Sequence, residues 1–433
     1  MTPPRAGRQA PVLAAERVRL EETADGAVLS CRLRGIPGLP EAVWFRFPGA
    51  LVPALSARGD PFLAALLLLA MRQGGRLIVE GPVSPALLRA VPAIADLFLD
   101  WQDQVGEPLA PVTVDAPAAP GPGRGAGAAA FFSCGVDSFY TVLRNLGRYP
   151  AGDARRVGDL LLVHGFDISL ERGADFEAVR RSAAAVAEAL GLRLVPITTN
   201  VRAVLRSLDW GFAHGPALAA VGLALAGACH TVYIPATDFL LEMIPWGSHP
   251  ALDPLWSTEA VEFVHDGAEV RRADKIRALA ASPLALRHLR VCWQPAGGAG
   301  NCGRCEKCLQ TMVDLELAGA LAAAEGFPGA VDAEAVARLI IPRLDSYYWF
   351  YTLRVARAQG ADPRLLAALE TTVGRRARAN ARLRLIEGLA RALRPLGLTP
   401  RRLRAADRRW LGGAADRVLR GVRARLRRIF YSS

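Results

Sequence analysis

Between residues 128 and 235 the chain alternates short apolar runs with longer helical patterns, and this alternation restricts the fold more than any other feature. Ala128 to Ser133 is apolar and bounded by glycine, Asp137 to Leu146 has helical periodicity, and Leu160 to His164 is again short and apolar. Phe176, Val179, Ala183, Val186 and Leu190 form one helical stripe. Leu192 to Ile197 follows as a strand, Pro216 to Cys229 as an apolar helix and Val232 to Pro235 as a further strand. Buried strands separated by helices pair in parallel, with the helices covering both faces of the sheet. The pattern predicts an α/β fold with a doubly wound parallel sheet, whose ligands bind beyond the carboxyl ends of the strands.

The flanks read differently. Ala116 to Gly125 is rich in Pro and Gly and continues neither a helix nor a strand, which marks 116–125 as a linker. Before it, Val18 to Leu20, Ala27 to Cys31, Val43 to Phe47 and Leu77 to Val79 read as strands, and Pro61 to Gln73 and Pro85 to Gln102 as helices. Residues 1–115 are therefore expected to form a separate N-terminal α+β domain, with Cys31 a core cysteine. Residues 126–330 form the expected core, and 331–433 a helical C-terminal extension that includes the aromatic run Tyr347 to Tyr351.

A chain of 433 residues, 52% hydrophobic, is long enough for two or three such domains. Its longest apolar run, Phe62 to Met71, is half of what a membrane-spanning helix needs, and the start from Met1 to Arg5 has no apolar signal segment. A cytoplasmic protein is expected.

The net charge of +12 is unevenly spread. Residues 371–433 hold 18 Arg against Glu387, Asp407 and Asp416, so this segment carries +15 and the remainder −3. Val418, Leu419, Val422, Leu426 and Ile429 recur there at helical spacing with arginines between them. Such a basic amphipathic helix suits an anionic membrane, nucleic acid or an acidic partner, or else a packed terminal helix with a solvated Arg face. Lysine, by contrast, occurs only at Lys275 and Lys307.

Two motifs carry chemistry. Ser133-Cys134-Gly135-Val136-Asp137-Ser138 joins a strand to a helix, and small residues there let backbone N–H groups approach a phosphate at the positive end of the helix. The plainer alternative is a turn capped by Asp137 or Ser138. Further on, Cys292, Cys302, Cys305 and Cys308 lie within seventeen residues. Two C-x-x-C steps gather three thiolates, and a Gly-rich loop returns the fourth. That is the pattern of a closed, structural zinc site, with an iron–sulfur cluster as the rival.

The first motif resembles the Ser-Gly-Gly-x-Asp-Ser loop of the PP-loop ATP pyrophosphatases, with Cys134 where the first glycine usually stands. With the cysteine loop, the chain is similar over about Ala126 to Met312 to the 7-cyano-7-deazaguanine synthases. The resemblance implies a Rossmann-like sheet of PP-loop type with a zinc loop. It also implies ATP with Mg2+ held by Ser133 to Ser138, cleavage to AMP and pyrophosphate, and activation of a substrate carboxylate or carbonyl for amide- or nitrile-type bond formation. Asp137 and Lys275 become the expected catalytic residues, Lys275 acting electrostatically on the leaving pyrophosphate. His164 falls where the family contacts the nucleotide, and Asp167 near it.

Asp238, Trp246 and His249 lie on a loop past the strand ending at Pro235, at the edge where a small-molecule or protein carboxylate substrate would bind; a well-packed surface loop is the alternative. Two other functions remain open at this point. One is a PP-loop enzyme that thiolates tRNA or a nucleobase, and the other a non-catalytic nucleotide-binding regulator such as an antiphage operon would carry. A homo-oligomer is compatible with either.

Overall fold

The computed structural model describes residues 11–105, 108–292, 300–341 and 346–393. The chain divides into two compact units, Met1–Trp293 and Gln294–Ser433.

The first unit is built on one ten-stranded sheet. Its strands are β1 (Val12–Thr23), β2 (Gly26–Arg34), β3 (Ala42–Pro48), β4 (Gly75–Val79), β5 (Val112–Asp115), β6 (Ala128–Phe131), β7 (Val157–His164), β8 (Arg193–Thr199), β9 (Thr231–Pro235) and β10 (Glu262–Asp266). They lie in the order β10-β9-β6-β7-β8-β3-β2-β1-β4-β5. The helices of this unit are α1 (Asp60–Gln73), α2 (Pro85–Val105), α3 (Val136–Arg148), α4 (Gly173–Leu190), α5 (Val201–Val204), α6 (Trp210–Ala224), α7 (Arg272–Leu279) and α8 (Pro283–His288).

From β10 to β8 every neighbouring pair is parallel, as the alternation predicted. The chain leaves β6 for β7 and β8 on one side, then returns to β9 and β10 on the other. The order reverses between β6 and β9, and doubly wound sheets hold their ligands at the carboxyl ends of the strands beside such a reversal.

The N-terminal strands continue the same sheet. β3 pairs antiparallel with β8 through Phe45 opposite Thr199 and Arg46 opposite Thr198. Asn200 locks the seam, accepting from Trp44 N–H at 3.0 Å and donating to Ala42 O at 2.8 Å, while Thr199 Oγ1 donates to Trp44 O at 2.7 Å. The reason lies in α1 and α6, which pack together and are apolar on nearly every side. A helix of that kind must be covered all round. Phe45, Phe62, Phe98, Phe212 and Phe263 accordingly share one hydrophobic core. The expected boundary at 116–125 falls inside this unit.

The second unit contains α9 (Glu306–Leu317), α10 (Ala333–Arg338), α11 (Ser346–Gln359) and α12 (Pro363–Leu393). Leu309, Val313, Val336, Trp349, Leu353 and Leu369 form its core, so the expected boundary at 330/331 lies within it. Trp349 Nε1 donates to Glu306 Oε1 at 2.8 Å, and Thr352 Oγ1 to Asp314 Oδ1 at 2.8 Å. The amphipathic stripe at 418–429 is outside the described residues. No described helix is long and apolar enough to cross a membrane.

Candidate functional site

The loop 133–138 leaves β6 at the sheet's reversal point. Phe132 and Phe139, both buried, meet edge to face at 5.0 Å and fix the loop's entry and exit. Gly135 is the N-cap of α3 and supplies no side-chain cap, while Ser138 Oγ donates to Gly135 O at 3.0 Å and accepts from Ser133 N–H at 3.4 Å. A Cβ at Gly135 would stand 3.2 Å from Ser133 Oγ, a tight approach that keeps the position small. Ser133 is exposed and Val136 buried. The capping alternative fails, because neither Asp137 nor Ser138 caps α3.

Asp137 turns instead toward α7. Its carboxylate accepts from Arg272 Nη1 at 2.8 Å and from Lys275 Nζ at 3.1 Å. Lys275 Nζ also donates to Ala236 O at 2.5 Å, just past β9, and lies 5.7 Å from the Tyr140 ring. The Lys275 side chain is 1% exposed and that of Arg272 8%. Two buried cations thus converge on one carboxylate beside the loop. Arg272 escaped the sequence reading, although its i, i+3 spacing to Lys275 puts both on one helical face.

Cys134 adopts φ +61°, a left-handed conformation in which glycine is least strained. Its side chain is fully buried. Burial pushes the thiol up to about 12, against the opposing pull of the Arg290 charge and a hydrogen bond with Ser182. Ser182 Oγ in turn meets His288 Nδ1 at 2.8 Å, and Arg290 N–H donates to Cys134 O at 2.8 Å. Burial thus disfavours the thiolate, and the contacts of Cys134 tie the loop to α4 and to the segment after α8.

The remaining expected residues divide. His164, at the end of β7, stacks on Phe176 at 4.2 Å and places Nε2 3.1 Å from Ser169 O, which gives it a packing role. Asp167 is exposed and Asp238 half-buried. Trp246 and His249 sit together on the loop beyond β9, the first 5.8 Å from the His214 ring and the second 5.0 Å from the Trp101 ring. That loop is pressed onto α6: Gly247 N–H donates to Gly211 O at 2.8 Å, and a Cβ on Gly215 would fall 1.5 Å from Gly247 O. Ser248, Asp253 and His265, beside His249, were also passed over. Glu262 to Asp266 holds too few apolar residues to announce β10.

The four cysteines come together. Their Sγ atoms all lie within 4.8 Å of one another, and Cys302 and Cys308 are 3.8 Å apart. Four sulfurs at about 2.3 Å from one metal ion would stand about 3.8 Å apart, so the spacing suits a single ion. Cys305 N–H donates to Cys302 Sγ at 3.3 Å, and Gly303, at φ +69°, makes the turn between them where a Cβ would strike Pro328 at 2.5 Å. No family model, curated protein or solved structure matches the chain.

Proposed function

We propose that the chain binds ATP with Mg2+ at Ser133 to Ser138 and cleaves it to AMP and pyrophosphate, activating a small-molecule or protein carboxylate as an acyl-adenylate. One observation carries the reading: Lys275 and Arg272, buried and convergent on Asp137, stand beside a glycine-headed loop at the reversal point of the sheet. Phosphate oxygens would draw these cations away from Asp137 and free its carboxylate to face Mg2+. Lys275 and Arg272 would then meet the charge that grows on the departing pyrophosphate, acting by field and without covalent chemistry.

The cysteine cluster fits one Zn2+ with all four positions filled, a structural ion rather than a catalytic one. The chain's seven cysteines, all free, suit a reducing, cytoplasmic setting. A thiolation enzyme draws no support from Cys134, whose buried neutral thiol is a poor sulfur carrier.

The test is pyrophosphate release from ATP across a panel of carboxylates, with the Asp137→Asn variant alongside. Release that needs a carboxylate and is lost in the variant is the expected result. ATP binding without turnover under every carboxylate would instead make the protein a nucleotide-binding regulator.

A further inference from the structure

Three of the six histidines gather around one buried carboxylate on the β10 side of the sheet. Asp253, with no exposed surface, accepts hydrogen bonds from Ser248 Oγ at 2.7 Å and from His249 N–H at 3.2 Å, and its Oδ2 lies 2.7 Å from His265 Nδ1. A carboxylate only accepts, so Nδ1 of His265 carries the hydrogen, and in the neutral ring Nε2 is then a bare lone pair. Nε2 is buried without a hydrogen-bond partner among the described residues, in a side chain that is 3% exposed.

An acceptor left that way is costly, and a ligand N–H or O–H would relieve it. His265 is the penultimate residue of β10, two strands from β6 in the sheet order, or about 10 Å across at the usual strand spacing. It therefore lies toward the same carboxyl edge as the phosphate loop, with its side chain on the α6 face, since the neighbouring Asp266 accepts from Thr141 Oγ1 of α3. The close glycine contacts of the 246–249 loop with α6 hold Ser248 and His249 in place around it.

We propose that His265 Nε2 binds and deprotonates the amine that takes up the activated acyl group. The inference rests on the ATP-dependent activation described above. The amine nitrogen bonds to the acyl carbon, the acyl carbon–oxygen bond to AMP breaks with its electron pair going to the phosphate oxygen, and the proton shed by the nitrogen passes to His265 Nε2. Asp253, already holding Nδ1–H, stabilises the resulting imidazolium.

Histidine-selective nitrogen NMR of the full-length protein tests this, with hydroxylamine as an amine probe that is uncharged near neutral pH. His265→Asn keeps an N–H for Asp253 and deletes Nε2; His265→Gln puts an oxygen near the Nε2 position. His265 should show a protonated Nδ1 and a bare Nε2, and hydroxylamine should shift the Nε2 signal. Read from His249, hydroxylamine affinity should fall about tenfold in His265→Asn and recover largely in His265→Gln, while a non-hydrolysable ATP analogue binds all three proteins equally. A proton on Nε2, a signal that hydroxylamine leaves unmoved, or unchanged affinity in His265→Asn would overturn the proposal. An equal response to methanol would replace the amine by a hydroxyl acceptor and so refute it as stated. Failure of the wild type to bind the ATP analogue would instead overturn the activation reading, a separate result.

Discussion

Exchanging Asp137 for Asn changes one charge and almost no volume, so its cost reports the electrostatics of the loop. In the native arrangement Lys275 Nζ and Arg272 Nη1 lie 3.1 and 2.8 Å from the carboxylate. The amide would leave the Lys275 ammonium and the Arg272 guanidinium without the carboxylate they share. Removing one partner of a buried ion pair costs roughly 3–5 kcal/mol. The lower end applies here, because Asp137 is 16% exposed and Lys275 keeps Ala236 O as an acceptor. Lys275→Met removes one cation, leaves Asp137 paired with Arg272 and strands only the Ala236 carbonyl, for about 1–2 kcal/mol. Urea unfolding should rank Asp137→Asn as the less stable variant by about 1–2 kcal/mol. The double variant should be more stable than Asp137→Asn alone, since the second change removes the stranded ammonium. Inorganic phosphate should stabilise Asp137→Asn more than the wild type, the anion standing in for the lost carboxylate. Equal stabilities for the two single variants, or strictly additive losses in the double one, would refute this account of the site.

Purified protein should carry one zinc per chain, and Cys305→Ser should lower thermal stability more than it lowers turnover; a brown, iron-containing protein would point to a cluster. Burial holds the imidazole of His214 below its ordinary 6.5, so the neutral form is favoured in the folded state. Stability from this group is complete above about pH 6.5 and declines as pH falls below that toward the depressed folded value; His214→Gln should flatten this acid limb in urea titrations. Phe62→Ala should cost about 3–5 kcal/mol, and because its ring shares the core with Phe212 and Phe263, both halves of the sheet should unfold in one weakened transition by circular dichroism. Cys134, Cys31 and Cys229, each pushed up to about 12 by burial, should resist iodoacetamide at pH 8 in the folded protein and react after denaturation, as peptide mapping would show.

The parallel half of the fold was legible because β6, β7, β8 and β9 are nearly all apolar and separated by helical stripes. β5 and β10 were not, being four and five residues long with polar members in each. The union of the two halves of the sheet was also hidden. It depends on two residue pairs and Asn200, a tertiary contact that leaves no periodic trace. In the site, the cysteine spacing announced its own geometry, and loop 133–138 was readable as a turn from strand to helix. Arg272, Asp253 and His265 were not singled out, because a lone charged or polar residue has no local signature until folding shows what it faces. Cys134 illustrates the converse: its departure from glycine was visible, but the burial that silences its thiol was not.

The seam between β3 and β8 bears on how this protein can be cut. Stripped of residues 1–115, β8 would lose its hydrogen-bonded partner at Thr198 and Thr199, beside Val195 and Ile197, both buried in the intact chain. An open, apolar strand edge recruits other strands, and sheets normally guard against it. A chain starting after the Pro/Gly segment would lose the cover on α6 as well as that guard, and self-association through β8 would follow. The N-terminal strands thus guard the parallel half of the sheet against association through its edge.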